Sequence, residues 1–326
     1  MICEVIKLLK CIILEVFFMI IILFFLVFYG PFHNIRDVVI KSLMTTMNHK
    51  WIAELFLSNK KIDQIMNKQI VKDISQSGKC RLERDINISN NENGIELYEI
   101  KGNRFKGKII LVYNPRRVKV GYTSKIGKEG QTTSEIAKRY NAIAAINGGG
   151  FKGSNDGIAW AGTGETPRGI LMSDGKLIYN DIKDKYKKSD VMALTKEGYL
   201  LVGKYSLNQL VKLKASEVIS FGPPLIVNGR KTIENGDGGW GIAPRTAIGQ
   251  RKDGVIILLA IDGRRVNCLG ATLKEVQDIL FDFGAYNAVN LDGGFSTTMY
   301  YNGKVINNPP DILGERCVPT IVYVEK

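Results

Sequence analysis

Two segments of the chain show the same order of local signals: a capping box, a short helix, an apolar strand and a polar residue followed by glycines. The first segment runs from Thr132-Thr-Ser-Glu135 to Asn147, and the second runs from Thr272-Leu-Lys-Glu275 to Asp292. Ser or Thr followed three residues later by Glu is typical of a helix start. A short apolar run that stops at a turn signal is typical of a buried strand. We therefore expect two strand ends to converge on one site.

The sequence from residue 94 to residue 326 predicts an α+β (mixed α/β) fold, with a β-rich domain and a few packed helices. Short runs of apolar and β-branched residues alternate there with Gly, Asn and Asp turns, which is typical of strands joined by tight turns. The clearest predicted strands are residues 109–113, 117–122, 142–146, 169–172, 200–202, 225–227, 255–261 and 320–324.

The N-terminal segment predicts a membrane span. Residues 11–29 are apolar except for Glu15, and with the flanking leucines the run reaches the roughly 20 residues that cross a bilayer. Lys7 and Lys10 precede the run, which favours a cytoplasmic N-terminus. The run ends without a small-residue cleavage site, so an uncleaved signal-anchor is favoured over a cleaved signal peptide. The expected localisation is a single-pass cell-membrane protein with an extracellular catalytic domain.

The predicted organisation has three parts. Residues 1–30 form a cytoplasmic tip and a transmembrane helix. Residues 31–93 form a short helical stalk and a linker that is rich in Ser, Asn and Lys. Residues 94–326 form the catalytic domain.

The formal net charge of +13 points to an anionic partner. For a domain outside the cell, anionic glycopolymers or lipid headgroups are a better match than nucleic acid. The charge could equally serve solubility alone, because the lysines are spread along the whole chain.

The histidines and cysteines restrict the chemistry. The two histidines are His33 and His49, so residues 50–326 contain none, which excludes Ser-His-Asp and Cys-His catalysis and His-ligated metals from that part. The five cysteines form no C-x-x-C pair, which argues against a zinc ribbon or a thioredoxin-type site. Cys268 and Cys317 could form a disulfide or remain free, buried thiols.

Three apolar runs end in a polar residue followed by glycine, at Asn147, Asp262 and Asp292, and Arg245 lies just before a fourth run. Each dipeptide alone is a common turn, but together they favour a composite site. The predicted catalytic residues are Asp292, Asp262 and Arg245. The predicted substrate-binding residues are Asn147, Gly148, Gly149, Thr246, Gly293, Gly294, Ser296 and Thr297.

These residues also carry a family resemblance. The segments Asn-Gly-Gly-Gly-Phe at 147–151, Pro-Arg-Thr-Ala-Ile-Gly at 244–249 and Asn-Leu-Asp-Gly-Gly-Phe-Ser-Thr-Thr-Met at 290–299 resemble the phosphodiester glycosidase family. The resemblance covers about residues 94–326. Phe295 departs from the pattern, which usually has Ser or Gly there, and Glu165 replaces a more usual glycine.

The resemblance implies cleavage of a sugar-1-phosphodiester, in which a phosphate monoester leaves. Asp292 and Asp262 would then supply two carboxylate roles, whose division depends on their separation. Arg245 would bind phosphate, assisted by glycine N–H groups, while Asn147, Ser296 and Thr297 would orient oxygen atoms of the substrate. No cofactor is required, although Asp and backbone oxygens could hold a divalent cation.

The favoured function is therefore a membrane-anchored hydrolase that acts on a glycopolymer of the cell envelope or the extracellular space. Two alternatives stay open on the sequence. One is a non-catalytic phosphoglycan-binding or scaffold module in exopolysaccharide assembly, and the other is a transglycosylase.

Overall fold

The computed structural model describes residues 2–45, 49–66, 71–76, 79–88, 93–152, 164–311 and 313–326. The chain divides into two compact units, Met1–Lys68 and Gln69–Lys326. Parts of the predicted stalk and linker, at 46–48, 67–70, 77–78 and 89–92, lie outside the described residues.

The first unit is helical. Its helices are α1 (Ile2–Tyr29), α2 (His33–Met44), α3 (Lys50–Phe56) and α4 (Asn59–Met66). Within α1, the segment Leu8–Tyr29 is long and apolar enough to cross a membrane, a test that a signal sequence near an N-terminus also meets. Phe28, Ile40 and Ile65 belong to a small buried apolar cluster that holds these helices together.

The second unit combines short helices with many strands. Its helices are α5 (Lys79–Asp85), α6 (Thr133–Arg139), α7 (Leu207–Lys212) and α8 (Leu273–Asp282). The strands of its first half are β1 (Ile95–Lys101), β2 (Lys106–Val112), β3 (Val118–Tyr122), β4 (Gln131–Thr132), β5 (Ala142–Asn147), β6 (Ile170–Ser173), β7 (Lys176–Asn180), β8 (Ser189–Thr195) and β9 (Leu200–Tyr205). The later strands are β10 (Ala215–Ser220), β11 (Pro224–Val227), β12 (Arg230–Lys231), β13 (Arg245–Arg251), β14 (Ile256–Ile261), β15 (Ala285–Leu291), β16 (Met299–Tyr301), β17 (Lys304–Val305), β18 (Cys317–Val318) and β19 (Thr320–Glu325).

In the described part of the chain these strands form three large sheets and one small pair. The largest sheet has the order β1-β2-β14-β13-β15-β11-β12, the second β7-β6-β10-β8-β9 and the third β17-β16-β5-β19-β3, while β18 pairs with β4. The paired strands run antiparallel, including β13 with both of its neighbours, β14 and β15. The predicted α+β fold with a β-rich domain is confirmed.

The three large sheets turn one face each towards a common apolar core. Leu258 of β14, Ile146 of β5 and Met192 of β8 are all buried in this one cluster. The outer face of each sheet packs against helices: α8 covers the largest sheet, α5 and α7 the second, and α6 the third. Strands covered on both faces need an almost continuous apolar sequence, which explains why every residue of β14 is apolar and buried.

Both predicted capping boxes are confirmed. The side chains of Thr132 and Thr272 accept from the backbone N–H groups of Glu135 and Glu275, and each glutamate bonds back to the first residue of its box. A third box, which the sequence analysis missed, opens α7 between Ser206 and Gln209.

The polar segment before residue 94 contributes to the second unit. The side chains of Leu82 and Ile86 are buried in the cluster beneath the second sheet. The Gln76 side chain bonds to the backbone of β9 in both directions, at Leu200 O (3.0 Å) and at Val202 N (2.7 Å). Packed structure therefore begins before residue 94, which had been predicted as the start of the domain.

Of the two alternatives for Cys268 and Cys317, a disulfide or free thiols, the structure has both as free thiols.

Replacement of Gln277 by Ala should destabilise the second unit. The buried Gln277 side chain accepts from Ile233 N (2.8 Å) and donates to Ile233 O (2.8 Å). An alanine would leave both the buried N–H and the buried oxygen of Ile233 without their side-chain partner. This loss should lower the free energy of unfolding by about 2–4 kcal/mol. Denaturant unfolding of the full chain measures this, with the exposed Asp282→Ala on the same helix as a control that should change stability by less than about 0.5 kcal/mol.

Candidate active site

The predicted strand ends meet at one edge of the largest sheet. In the register of β13, Arg245 pairs with Ile261 of β14, and Thr246 pairs with Leu291 of β15. Since β14 and β15 both run antiparallel to β13, their C-terminal ends flank its first residues. Asp262 and Asp292 therefore leave the sheet at the same edge, with backbones two strand spacings apart, or about 10 Å.

The side chain of Asn147 joins the third sheet to this edge. Its Nδ2 donates to the backbone oxygen of Asp292 (2.6 Å), and its Oδ1 accepts from Thr246 Oγ1 (2.7 Å) and from Thr298 N (3.1 Å). Asn147 and Thr246 are both fully buried. Through these contacts, Asn147 and Thr246 help to fix the position of Asp292.

The predicted glycines bring backbone segments close together. The N–H groups of Gly148 and Gly149 donate to Thr320 O (2.9 Å) and Thr320 Oγ1 (3.0 Å). The Gly148 oxygen accepts from Asp292 N at 3.1 Å. A Cβ on Gly148 would lie 2.6 Å from Thr320 Oγ1, so this close approach requires glycine.

The Asp292 carboxylate is held by the loop that follows it. It accepts hydrogen bonds from the Ser296 hydroxyl and from the Gly293 N–H, and it lies near the positive charges of Arg316 and Arg264. Burial is the largest influence and raises the pKa of this half-buried carboxyl to about 6, although the hydrogen bonds and the arginines act in the opposite direction. A carboxyl group with such a pKa can exchange a proton near neutral pH.

Arg264 lies beside Asp292 against an aromatic ring. Its guanidinium carbon is 4.2 Å from the centroid of the Phe295 ring, a geometry in which the face of the ring attracts the cation. Burial lowers the pKa of Arg264, the charge of Arg316 lowers it further, and Asp292 raises it. Gly294 leaves room for this arrangement, since a Cβ there would lie 3.1 Å from Arg264 Nη2.

Arg316 completes a pair of cations around Asp292. Its guanidinium carbon lies 5.0 Å from the centroid of the Phe151 ring. The guanidinium groups of Arg264 and Arg316 both act on the Asp292 carboxylate, and guanidinium groups are well suited to bind an anionic group such as phosphate.

Neither of these two arginines is among the site residues predicted from the sequence. The available signal was their position, because Arg264 follows the end of β14 and Arg316 directly precedes β18.

The guanidinium of Arg245 bonds to the surrounding loops. It donates to Ala271 O (3.0 Å), Trp240 O (3.0 Å) and Gly241 O (2.7 Å). Burial lowers the pKa of Arg245 to about 10, while the charge of Asp237 acts to raise it. These bonds connect the loop before β13 to the segment before α8.

The Asp262 carboxylate is also engaged. It accepts from Asn307 Nδ2 (3.2 Å), Asn308 N (2.9 Å) and Asn308 Nδ2 (3.3 Å). The same Asn307 side chain bonds to Thr297 O (3.1 Å) and Met299 N (2.7 Å). Asp262 therefore fixes the segment that follows the Asp292 loop.

The remaining predicted residues form the loop itself. Residues Gly294–Ser296 make a single 3₁₀ turn, and Ser296 and Thr297 are buried. No described residue hydrogen-bonds to the buried hydroxyl groups of Thr297 and Thr298. Within the described ranges, no group of three or more His, Cys, Asp or Glu side chains is placed to hold a metal ion.

An aromatic pair lies on the other side of the Asn147 segment. The rings of Phe221 and Trp240 are 5.9 Å apart, edge to face, and both are half-buried. A Cβ on Gly150 would lie 3.0 Å from the Phe221 ring, which places the pair against the glycine run.

Comparisons with known proteins agree on one family. A sequence model of the phosphodiester glycosidase family matches residues 140–325, more than half of the chain. The SPbeta prophage-derived uncharacterized protein YomE of Bacillus subtilis is 28% identical over 199 residues, which cover 59% of this chain and 29% of that protein.

The Bos taurus and Homo sapiens N-acetylglucosamine-1-phosphodiester alpha-N-acetylglucosaminidases are each 39% identical over 91 residues, or 26% of this chain. The matched regions cover 17% of the bovine and 18% of the human enzyme. The chain thus spans less than a third of the length of the curated relatives it matches.

Solved structures show the same fold. The catalytic domain of the zebrafish N-acetylglucosamine-1-phosphodiester alpha-N-acetylglucosaminidase, auto-inhibited by its pro-peptide, has a TM-score of 0.59 at 24% identity, covering 74% of this chain and 87% of that domain. A putative exported protein from Burkholderia pseudomallei has a TM-score of 0.55 at 16% identity, covering 68% of this chain and 74% of that one.

Replacement of Asn147 by Ala should lower stability as well as activity. The change removes three buried hydrogen bonds that join the strand ends, so the free energy of unfolding should fall by about 2–4 kcal/mol. Thermal unfolding measures this, with the exposed Asn267→Ala as control. An Asn147→Ala protein of unchanged stability but weaker substrate binding would instead make Asn147 a substrate ligand.

Proposed function

The chain belongs to the phosphodiester glycosidase family, and we propose that it hydrolyses a sugar-1-phosphodiester with Asp292 as its catalytic carboxylate. The observation that carries the proposal is the half-buried Asp292, held by Gly293 and Ser296 between the charges of Arg264 and Arg316. A carboxylate beside two cations suits a substrate that carries a phosphodiester next to its reacting carbon.

The proposed reaction needs one carboxylate and a phosphate clamp. Ionised Asp292 takes a proton from water as the water oxygen bonds to the anomeric carbon. The bond between this carbon and the phosphate oxygen breaks, and its electron pair leaves with the phosphate monoester. Arg264 and Arg316 neutralise the leaving phosphate. Because phosphate is a good leaving group, protonation by a second carboxyl group is not required.

The other predicted residues take supporting roles in this proposal. Asp262 positions the 297–308 segment through its bonds to Asn307 and Asn308. Arg245 fixes the loops before β13 and before α8. The half-buried Phe221 and Trp240 rings supply an apolar surface on which a sugar ring could stack.

We further propose that Leu8–Tyr29 anchors the chain in the cell membrane with the second unit outside. The length and composition of this helix and the two lysines that precede it support that topology. The net charge of +13 supports an anionic envelope or extracellular glycopolymer as substrate.

The full chain should release sugar from a soluble N-acetylglucosamine-1-phosphodiester, and Asp292→Asn should lower kcat/KM by about 10³-fold. The exposed Asp282→Asn serves as the matched control. Product analysis with an added sugar acceptor separates hydrolysis from glycosyl transfer. Binding without turnover in the unmodified protein would favour the non-catalytic alternative.

The pH profile tests the role of Asp292 directly. Its folded-state pKa is raised to about 6, so the carboxyl group is protonated below that pH and ionised above it. A base must be ionised, so kcat/KM should rise with pH through about 6 and then level off. The rise of kcat with pH should occur at a higher pH than the rise of kcat/KM. The reason is that the negative charge of the bound phosphodiester favours the protonated form of the Asp292 carboxyl. Activity that falls as the pH rises through 6 would contradict this role.

Phe295 and Arg264 should act as one unit in binding phosphate. Phe295→Leu should raise KM about 5- to 30-fold, which corresponds to the loss of a cation–π contact of about 1–2 kcal/mol. Phe295→Tyr keeps an aromatic face and should remain close to the unmodified protein. In an Arg264→Gln background, Phe295→Leu should have little further effect. Fully additive effects would show that Phe295 acts independently of Arg264.

A further inference from the structure

The sheet edge that presents Asp292 continues past Asp262 to a second group of cations. In the register between β14 and β2, Ile261 pairs with Gly107, and Asp262 N donates to Lys106 O at 2.8 Å. Lys106 therefore begins the next strand at the same edge. From Asp292 to Lys106 the row crosses three strand spacings, or about 14 Å.

A cavity of about 360 Å³ opens at the Lys106 end of this row. Its lining includes Lys106, Arg265, Asn267 and Asn308, with Asp262 in its wall, and the first four are exposed to solvent. The volume is at the lower end of the roughly 300–1,000 Å³ that is typical of ligand pockets. It is large enough for a phosphate group and part of a sugar.

The charge of the cavity favours an anion. Among the described residues, no carboxylate lies within 4.0 Å of the Lys106 ammonium or the Arg265 guanidinium. The carboxylate of Asp262 already accepts three hydrogen bonds from Asn307 and Asn308. The two asparagine amides at the rim, Asn267 and Asn308, add neutral hydrogen-bonding groups beside the cations.

The hairpin that follows β14 contains one arginine near Asp292 and another at the cavity. After β14 the chain turns back on itself, with Arg264 N bonded to Leu269 O (3.1 Å) and Arg265 N bonded to Cys268 O (2.9 Å). Arg264 has a left-handed backbone (φ +60°) and lies on Phe295 near Asp292. The next residue, Arg265, lines the cavity. Of these successive arginines, Arg264 thus lies near Asp292 and Arg265 lies at the cavity.

We propose that this cavity is a second anion subsite, which binds the neighbouring phosphodiester of an extended substrate while Arg264 and Arg316 hold the one being cleaved. The inference rests on the proposed function and narrows its substrate class. The substrate is a chain of sugars with repeated phosphodiesters, laid along the sheet edge, and not an isolated sugar phosphodiester.

Kinetics with two substrates test the subsite in the full chain. One substrate carries a single N-acetylglucosamine-1-phosphodiester, and the other is an oligomer of the same sugar with two phosphodiesters. Lys106→Gln and Arg265→Gln should each raise KM for the oligomer up to about 5-fold, as expected for one partly exposed charge contact. The double variant should raise it by about the product of the two single effects, which is about 2- to 25-fold. All variants should leave KM and kcat for the single phosphodiester unchanged.

Two controls make the result specific. Lys176→Gln removes an exposed lysine on β7 of the second sheet and should leave KM and kcat for both substrates unchanged. Salt at 1 M, where the Debye length is about 3 Å, should reduce the advantage of the oligomer. Equal effects of the cavity variants on both substrates, or no effect on either, would overturn the subsite.

Binding separates failure of the subsite from failure of the proposed reaction. Calorimetry of the two-phosphodiester oligomer with Asp292→Asn needs no turnover. Adding the Lys106→Gln and Arg265→Gln changes should weaken binding by the same factor, about 2- to 25-fold. Unchanged binding overturns the subsite even if hydrolysis is observed. If the cavity changes weaken binding but the unmodified protein never cleaves the substrate, the subsite is supported and the proposed reaction is overturned.

Discussion

The buried amide of Asn147 connects the pieces from which the candidate site is built. It bonds to the oxygen of Asp292, to the hydroxyl of Thr246 and to the N–H of Thr298. These three partners come from different strands and loops, and Asn147 itself belongs to another sheet. A buried amide whose donor and acceptor atoms are both used specifies a single arrangement, because any displacement would leave buried polar atoms unpaired. The position of Asp292 follows from this connection.

The electrostatics of the site depend on how its arginines are supported. A buried guanidinium loses hydration, and Arg264 also experiences the like charge of Arg316. The ring of Phe295 partly compensates by presenting its electron-rich face at 4.2 Å. Asp292 supplies a single negative charge near both cations. In the proposed reaction, an incoming phosphodiester would meet guanidinium groups that the fold has already positioned, which is how a preorganised site stabilises charge.

The sequence predicted the position of the site better than the role of each residue in it. Glycines and polar residues at strand ends indicated the convergence of Asn147, Asp262 and Asp292, because that pattern depends only on local structure. Roles depend on partners that are remote in sequence. Asn147 bonds to residues that are 99 to 151 positions away along the chain, and no local pattern reveals those contacts.

The arginines illustrate the same limit. Arg245 begins a buried strand and bonds to three loop carbonyls, whereas Arg264 and Arg316 lie against aromatic rings on other loops. Phe295 departs from the family pattern, and its ring contacts the guanidinium of Arg264. The segment Lys79–Asp85 looks like a linker because most of its residues are polar, and only the tertiary structure shows that Leu82 is buried.

The spacing of the two aspartates bears on the proposed reaction. The backbones of Asp262 and Asp292 are separated by two strand spacings, or about 10 Å. The carboxylate of Asp262 is also directed to Asn307 and Asn308. In the proposed reaction Asp292 acts without a second carboxylate, and this suffices only if the leaving group needs no proton. A phosphate monoester meets that condition and an ordinary sugar hydroxyl does not, so the role proposed for Asp292 suits phosphodiesters better than simple glycosides.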